Sequence, residues 1–124
     1  MPSAKISTLA NYTDNTTNYF KLASAASQSI VFLFVTVSRI EGSAGSSFIV
    51  LFSRTGNGSF YTKVHRIFGE DANIYFKLLG NSLYVKYATS YTTVSTVVLH
   101  KCGNIDTENI TFESINGGTD IAIG

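Results

Sequence analysis

The sequence predicts an all-β domain, an antiparallel sandwich or barrel of about eight to ten strands. Three observations carry that prediction. Strand-length segments rich in β-branched and aromatic residues recur along the chain, breaks centred on Gly and Asn separate them, and no segment holds a helical period. At 124 residues the chain reads as one domain, 1–124, built on a single core.

Taken in order, the candidate strands are residues 5–9, 18–23, 29–40, 47–53, 60–68, 73–79, 82–88, 94–101, 109–115 and 120–123. The first two are short and flank a polar link over 11–18. The third, Ser29 to Ile40, is apolar on both faces, as is the segment from Ser47 to Ser53 that follows a Gly/Ser-rich loop. An ordinary half-exposed strand alternates; these do not, so something must cover each face. One face can belong to the domain's own core, and the other meets a second sheet or another subunit. On the third strand Ile30, Phe32 and Phe34 form one stripe, with the ring volume to fill a core. Val31, Leu33, Val35 and Val37 form the other, whose smaller side chains suit close approach to a neighbouring subunit.

The strand over 60–68 is the most amphipathic, with Tyr61, Lys63 and His65 on one side. Next comes the sharpest local signal, Leu79-Gly80-Asn81-Ser82, where Gly then Asn suits the primed two-residue turns of tight hairpins. The hairpin it closes has two unlike sides. Ile74, Phe76, Leu78, Leu83, Val85 and Tyr87 form a core side, whereas Tyr75, Lys77, Tyr84 and Lys86 form a Tyr/Lys side that stays wet. Residues 89–93 read as a polar loop or edge around Tyr91, before the last three strands.

Composition excludes several function classes. Only 14% of residues are charged, against about 25% in soluble domains at large, and Ser, Thr and Asn carry the polarity instead. Net charge is +1, so no global field draws in a polyanion and no nucleic-acid partner is expected. The longest apolar run, 30–37, is far short of the roughly 20 residues of a membrane-spanning helix, so no membrane insertion is expected. Met1 to Leu9 lacks the basic start and apolar stretch of a signal peptide, which points to release by lysis or export within a longer product. Four Asn-x-Ser/Thr sequons, at Asn11, Asn15, Asn57 and Asn109, are what an Asn- and Thr-rich chain contains by composition.

Catalytic and metal-binding patterns are missing. Cys102 is the single cysteine, which rules out an internal disulfide, and it reads as a buried or semi-buried small hydrophobe at a strand end. His65 and His100 have no further ligand at metal spacing beyond the fragment His100/Cys102. Glu70-Asp71 lies in one turn and Asp106 and Glu108 in one loop, whereas glycosidase carboxylates must converge across a cleft. Gly42-Ser-Ala-Gly-Ser46 misses the nucleophile-elbow spacing, and Gly56-Asn-Gly58 has no lysine after it to hold a phosphate. No enzyme, metal or cofactor is implied. Recognition is the remaining class. Tyr61, Tyr91, His65, Arg66 and Asn57 carry the chemistry sugars require, rings for their apolar faces and amide, imidazole and guanidinium groups for their hydroxyls; surface tyrosines on a sheet equally suit packing in an oligomer.

A segment Tyr19-Phe-Lys-Leu-Ala-Ser24, a small-residue spacer and a long apolar strand, with Asn81-Ser-Leu-Tyr-Val-Lys-Tyr-Ala88 and Tyr91-Thr-Thr-Val-Ser-Thr-Val-Val-Leu99 later, resembles the C-terminal tip domains of bacteriophage tail fibres, tailspikes and appendages. The resemblance implies a jelly-roll-like β-sandwich assembled as a homotrimer on an upstream fibre shaft, located in the virion at the extracellular tip and contacting a host-surface glycan or protein. It assigns no fixed binding residues. No shaft repeat precedes the domain, so a separately expressed tip or a small stand-alone virion protein is expected. The competing readings are a structural trimerisation or assembly domain, a capsid decoration protein, and a carbohydrate-active enzyme.

Overall fold

A computed structural model describes residues 6–11, 18–39, 45–70, 73–88, 92–108 and 111–124, with backbone alone for 6–11 and 39. Among these residues there are nine strands and no helix. They are β1 (Ile6–Asn11), β2 (Asn18–Arg39), β3 (Gly45–Arg54), β4 (Phe60–Phe68), β5 (Ile74–Leu79), β6 (Ser82–Tyr87), β7 (Thr92–Asp106), β8 (Thr111–Ser114) and β9 (Thr119–Ile121). Every pairing between them is antiparallel.

The two segments expected at 18–23 and 29–40 are one strand of 22 residues. Its C-terminal half pairs with β3 along one edge, from Ser29↔Arg54 to Ser38↔Gly45, and with β7 along the other. Its N-terminal half pairs with β6 and β8. The small residues between the halves do not end the strand; they form a bulge. Ala25 pairs with Ile105 and Ser29 with Gly103, leaving Ala26, Ser27 and Gln28 opposite the single residue Asn104, and such insertions bend the strand that carries them. Gly103 is the residue that permits the close approach here. Its φ is +89°, and a Cβ on it would lie 2.5 Å from the Gln28 carbonyl oxygen.

The Gly80-Asn81 turn forms as expected. Leu79 pairs with Ser82, and Gly80 at φ +60° is the first central residue of a tight turn with left-handed backbone at that position alone, the type II′ pattern. Beyond this hairpin β9 pairs with β5, and the chain then reaches β4. Gly124 N–H donates to the Val64 carbonyl at 2.8 Å, and Arg66 N–H donates to the Gly124 carbonyl at 3.0 Å. The path β2, β3, β4, residues 119–124, β5, β6 and back to β2 nearly closes the sheet on itself.

Inside that ring lies the core. Val31, Leu33, Val35 and Val37 are wholly buried in it, facing Phe48, Val50 and Phe52 of β3 across their register pairs. The faces of β2 are therefore the reverse of those expected. Ile30, Phe32 and Phe34 are only half-buried and point outward. The interior already receives its rings from Phe20, Phe48, Phe52 and Phe76, so the middle strand contributes the compact branched side chains that fit between them.

Candidate functional site

The β3–β4 connection is a short turn that organises its own polar groups. Thr55 N–H donates to the Ser59 carbonyl at 2.8 Å, and Gly58 N–H donates to the Thr55 carbonyl at 3.0 Å. The Asn57 side-chain oxygen accepts from the Thr55 hydroxyl and from Ser59 N–H, the local bonding that favours Asn in turns. Arg54, at the end of β3, reaches back to donate to the Ala25 carbonyl at 2.8 Å, and its guanidinium lies 5.5 Å from the centre of the Phe60 ring. This arginine ties the turn to the β2 bulge.

Between turn, bulge and β7 lies an open depression of about 450 Å³, lined by Gln28, Ser29, Ile30, Ser53, Arg54, Thr55, Gly56, Cys102 and Gly103. Its volume falls in the range of small-molecule sites, roughly 300–1,000 Å³. An amide, a guanidinium and three hydroxyl-bearing residues share it with the apolar Ile30. Two of those hydroxyls are engaged: Ser29 donates to the Ser27 carbonyl at 2.9 Å, and Thr55 bonds within its own turn.

The expected binding residues divide. Asn57 adjoins the depression through Gly56, and Tyr61, 57% exposed, pairs in register with Ser53 on its wall. His65 shares the outward side of β4 with Tyr61 but stands four residues on, about 13 Å along the strand. Arg66 is turned to the other side. It donates to the Ser46 hydroxyl at 2.7 Å and lies over the Phe48 ring at 5.0 Å, at the rim of the core. Tyr91 lies outside the described residues. Cys102, expected to be buried or semi-buried, is exposed: an extra residue in β7 between the pairs Phe32↔His100 and Leu33↔Val98 leaves it outward, opposite Ile30. Gln28, Arg54 and Gly103 escape sequence reasoning because they come from distant segments with no shared motif.

Two further surfaces complete the inventory. Ile30, Phe32 and Phe34 continue outward into Ile49 and Leu51 on β3 and Val97 and Leu99 on β7, an apolar sheet face. On the other half of the sheet the expected Tyr/Lys side is present but only partly wet: Tyr75 is exposed, Lys77 and Lys86 are half-buried, and Tyr84 is buried. There the Tyr84 hydroxyl donates to Glu113 at 2.9 Å, and its pKa is raised above 10.0, first by burial and then by that hydrogen bond and the carboxylate charge. Among the described residues no three potential ligands gather to hold a metal.

No protein-family profile matches the chain, and no curated protein matches it. A solved structure does share the architecture: the tailspike protein gp49 of Acinetobacter baumannii bacteriophage Fri1, a capsular polysaccharide depolymerase, superposes with a TM-score of 0.57. The fold is similar to a segment of a phage tailspike. The likeness covers 90% of this chain at 11% identity, and the chain spans 19% of that tailspike's length. At such identity the tailspike-like likeness is one of fold.

Proposed function

We propose that the chain is a non-enzymatic, carbohydrate-binding tip domain of a phage tail appendage that recognises a glycan on the host surface. The observation that carries this reading is the depression beside Tyr61, where Gln28, Ser53 and Arg54 present donors and acceptors next to an exposed ring. Rings cover the apolar faces of sugars and amide and guanidinium groups read hydroxyls. The tailspike-like fold supports a virion tail setting. The two carboxylates on the Tyr/Lys side do not form a glycosidase pair. Glu113 on β8 and Asp120 on β9 share a sheet face but stand four strand spacings apart, about 19 Å. A glycosidase pair requires roughly 5–9.5 Å.

The test is binding of purified protein to host-surface polysaccharide with reducing ends assayed in parallel. Tyr61→Ala and Gln28→Ala each weaken binding about tenfold or more, and no reducing ends appear. A folded protein without affinity for any host-surface glycan refutes the reading, and released reducing ends refute its non-enzymatic part.

A second reading, a trimerisation or assembly domain, is favoured by the apolar outward face of β2, β3 and β7. Across these three strands and nine residues of β2 this sheet face measures about 14 by 30 Å, short of the roughly 600 Å² per partner at the lower bound of stable interfaces, so an assembly through it also draws on the strands beside it. The two readings are compatible. A jelly-roll-like domain that trimerises through this face keeps the Tyr61 depression at its edge and the Tyr/Lys side free.

A further inference from the structure

We propose that the outer Tyr/Lys side of β2, β6 and β5 is a second saccharide platform, selective for acidic sugars that carry a carboxylate. The proposal rests on the carbohydrate-binding reading and adds to it a different site and a ligand class.

Register builds the platform. Lys86 stands opposite Tyr75 and Lys77 opposite Tyr84, so rings and ammonium groups alternate like a checkerboard. Lys86 Nζ lies 4.8 Å from the centre of the Tyr19 ring and 5.8 Å from that of Tyr75, and Lys77 Nζ lies 5.5 Å from the Tyr19 ring. Two ammonium groups thus share one ring. Their stems overlie Tyr19, which is only 7% exposed despite its place on the outside of the sheet, while Tyr75 is 47% exposed. Cation–π contacts hold lysine side chains that would otherwise sample many rotamers, so part of the ordering cost of binding is met in advance.

Charge is graded across the face. Among the described residues the acids of this face stand on the outermost strands. Glu113 on β8 accepts from the Tyr84 and Thr111 hydroxyls, and Asp120 on β9, with its side chain 89% exposed, meets Lys77 at 3.8 Å, a pair of small energetic weight. The centre is aromatic and cationic. A sugar ring laid on Tyr75 places its equatorial substituents beside Lys86 and Lys77, where a carboxylate gains charge-assisted hydrogen bonds that a hydroxymethyl group does not. A net charge of +1 gives no long-range field for a nucleic acid, so selectivity arises from this local pairing of ring and ammonium.

The test uses the whole chain and four classes of probe: carboxylated oligosaccharides (galacturonate, glucuronate-containing hyaluronan and polysialic acid), a neutral galactan series, a sulfated dextran and a single-stranded oligonucleotide. Calorimetry and amide chemical shifts are read for wild type, Tyr75→Ala, Lys86→Met, Lys77→Met and Gln28→Ala, with circular dichroism to confirm folding. At least one carboxylated series binds more tightly than galactan and more weakly as salt rises past about 0.15 M. Tyr75→Ala lowers that affinity about tenfold, both lysine variants lower it for acidic sugars alone, and Gln28→Ala removes ligand-induced amide shifts around the depression while those of β5 and β6 persist. Three outcomes overturn the platform and leave the depression standing: equal affinity for galactan, tight acidic binding that only Gln28→Ala removes, or dextran sulfate or oligonucleotide binding as tight as the carboxylated series with the same residue dependence. Failure of every saccharide to bind overturns both.

Discussion

Phe48 of β3 and Phe76 of β5 meet edge to face across the interior, their ring centres 5.0 Å apart at 78°, although the two strands share no hydrogen bond. The contact joins the two halves of the sheet through the core. Phe76→Ala is expected to lower unfolding stability by about 3–5 kcal/mol in urea denaturation. A double-mutant cycle with Phe48→Leu isolates an edge-to-face contribution of about 0.5–1.5 kcal/mol.

On the assembly reading, the two stripes of β2 separate folding from assembly. Val35 has no exposed surface, so Val35→Lys buries an unpaired ammonium and removes the cooperative thermal transition, a loss above about 4 kcal/mol. Phe34, half-buried on the outward face, behaves differently. Phe34→Lys leaves a folded protein, and sedimentation velocity shows it smaller than wild type at the same micromolar concentration. A Phe34→Lys protein with the wild-type sedimentation coefficient removes this face from assembly.

Two glycines with left-handed backbone predict unequal costs. Gly80 has nothing within 4 Å of a would-be Cβ, so Gly80→Ala costs only the conformational penalty, about 1–2 kcal/mol. Gly103→Ala adds a clash with backbone at the bulge and costs more, about 3 kcal/mol or above. Melting temperatures measured side by side check the order.

Tyr84 predicts an alkaline limit. Burial, the hydrogen bond to Glu113 and its charge all hold the phenol proton, so the folded pKa lies above the unfolded value of 10.0. The folded state then binds more protons than the unfolded one once pH exceeds 10, and stability falls as pH rises from there through the folded value. This contribution is whole below pH 10. Melting temperature against pH for wild type and Tyr84→Phe shows the variant losing less above that point.

Tyr87 is wholly buried and its hydroxyl has no hydrogen-bond partner among the described residues. Replacing an unsatisfied buried hydroxyl removes a desolvation cost, so Tyr87→Phe is expected to raise stability by about 1 kcal/mol. An unchanged or lower urea midpoint shows that the hydroxyl is satisfied in solution.

The strands were legible because β-branched and aromatic runs between Gly and Asn breaks mark them without reference to tertiary structure. The Gly80-Asn81 hairpin and its Tyr/Lys side followed from period two alone, since one side was apolar and the other was not. That rule fails on 30–37, where both stripes are apolar and only the rings arriving from β3 and β5 decide which turns inward. The run from Ser24 to Gln28 read as a spacer because small polar residues favour breaks, yet β7 and Gly103 hold it within a strand. The depression had no local signature, as its amide, guanidinium and glycine meet only when β2, β3 and β7 are paired.

The shared strand also governs how the chain reaches this state. β2 takes hydrogen bonds from four partners, and β6, β7 and β8 are synthesised some 40 to 90 residues after it. Its N-terminal half has no neighbour until those segments arrive, so ring closure awaits long-range encounters whose entropic cost slows all-β chains. Folding is therefore expected to be slow and all-or-none, with neither half of the sheet persisting alone. Partial unfolding would free β2 on both edges at once, exposing an apolar strand of 22 residues to any other copy in the same condition.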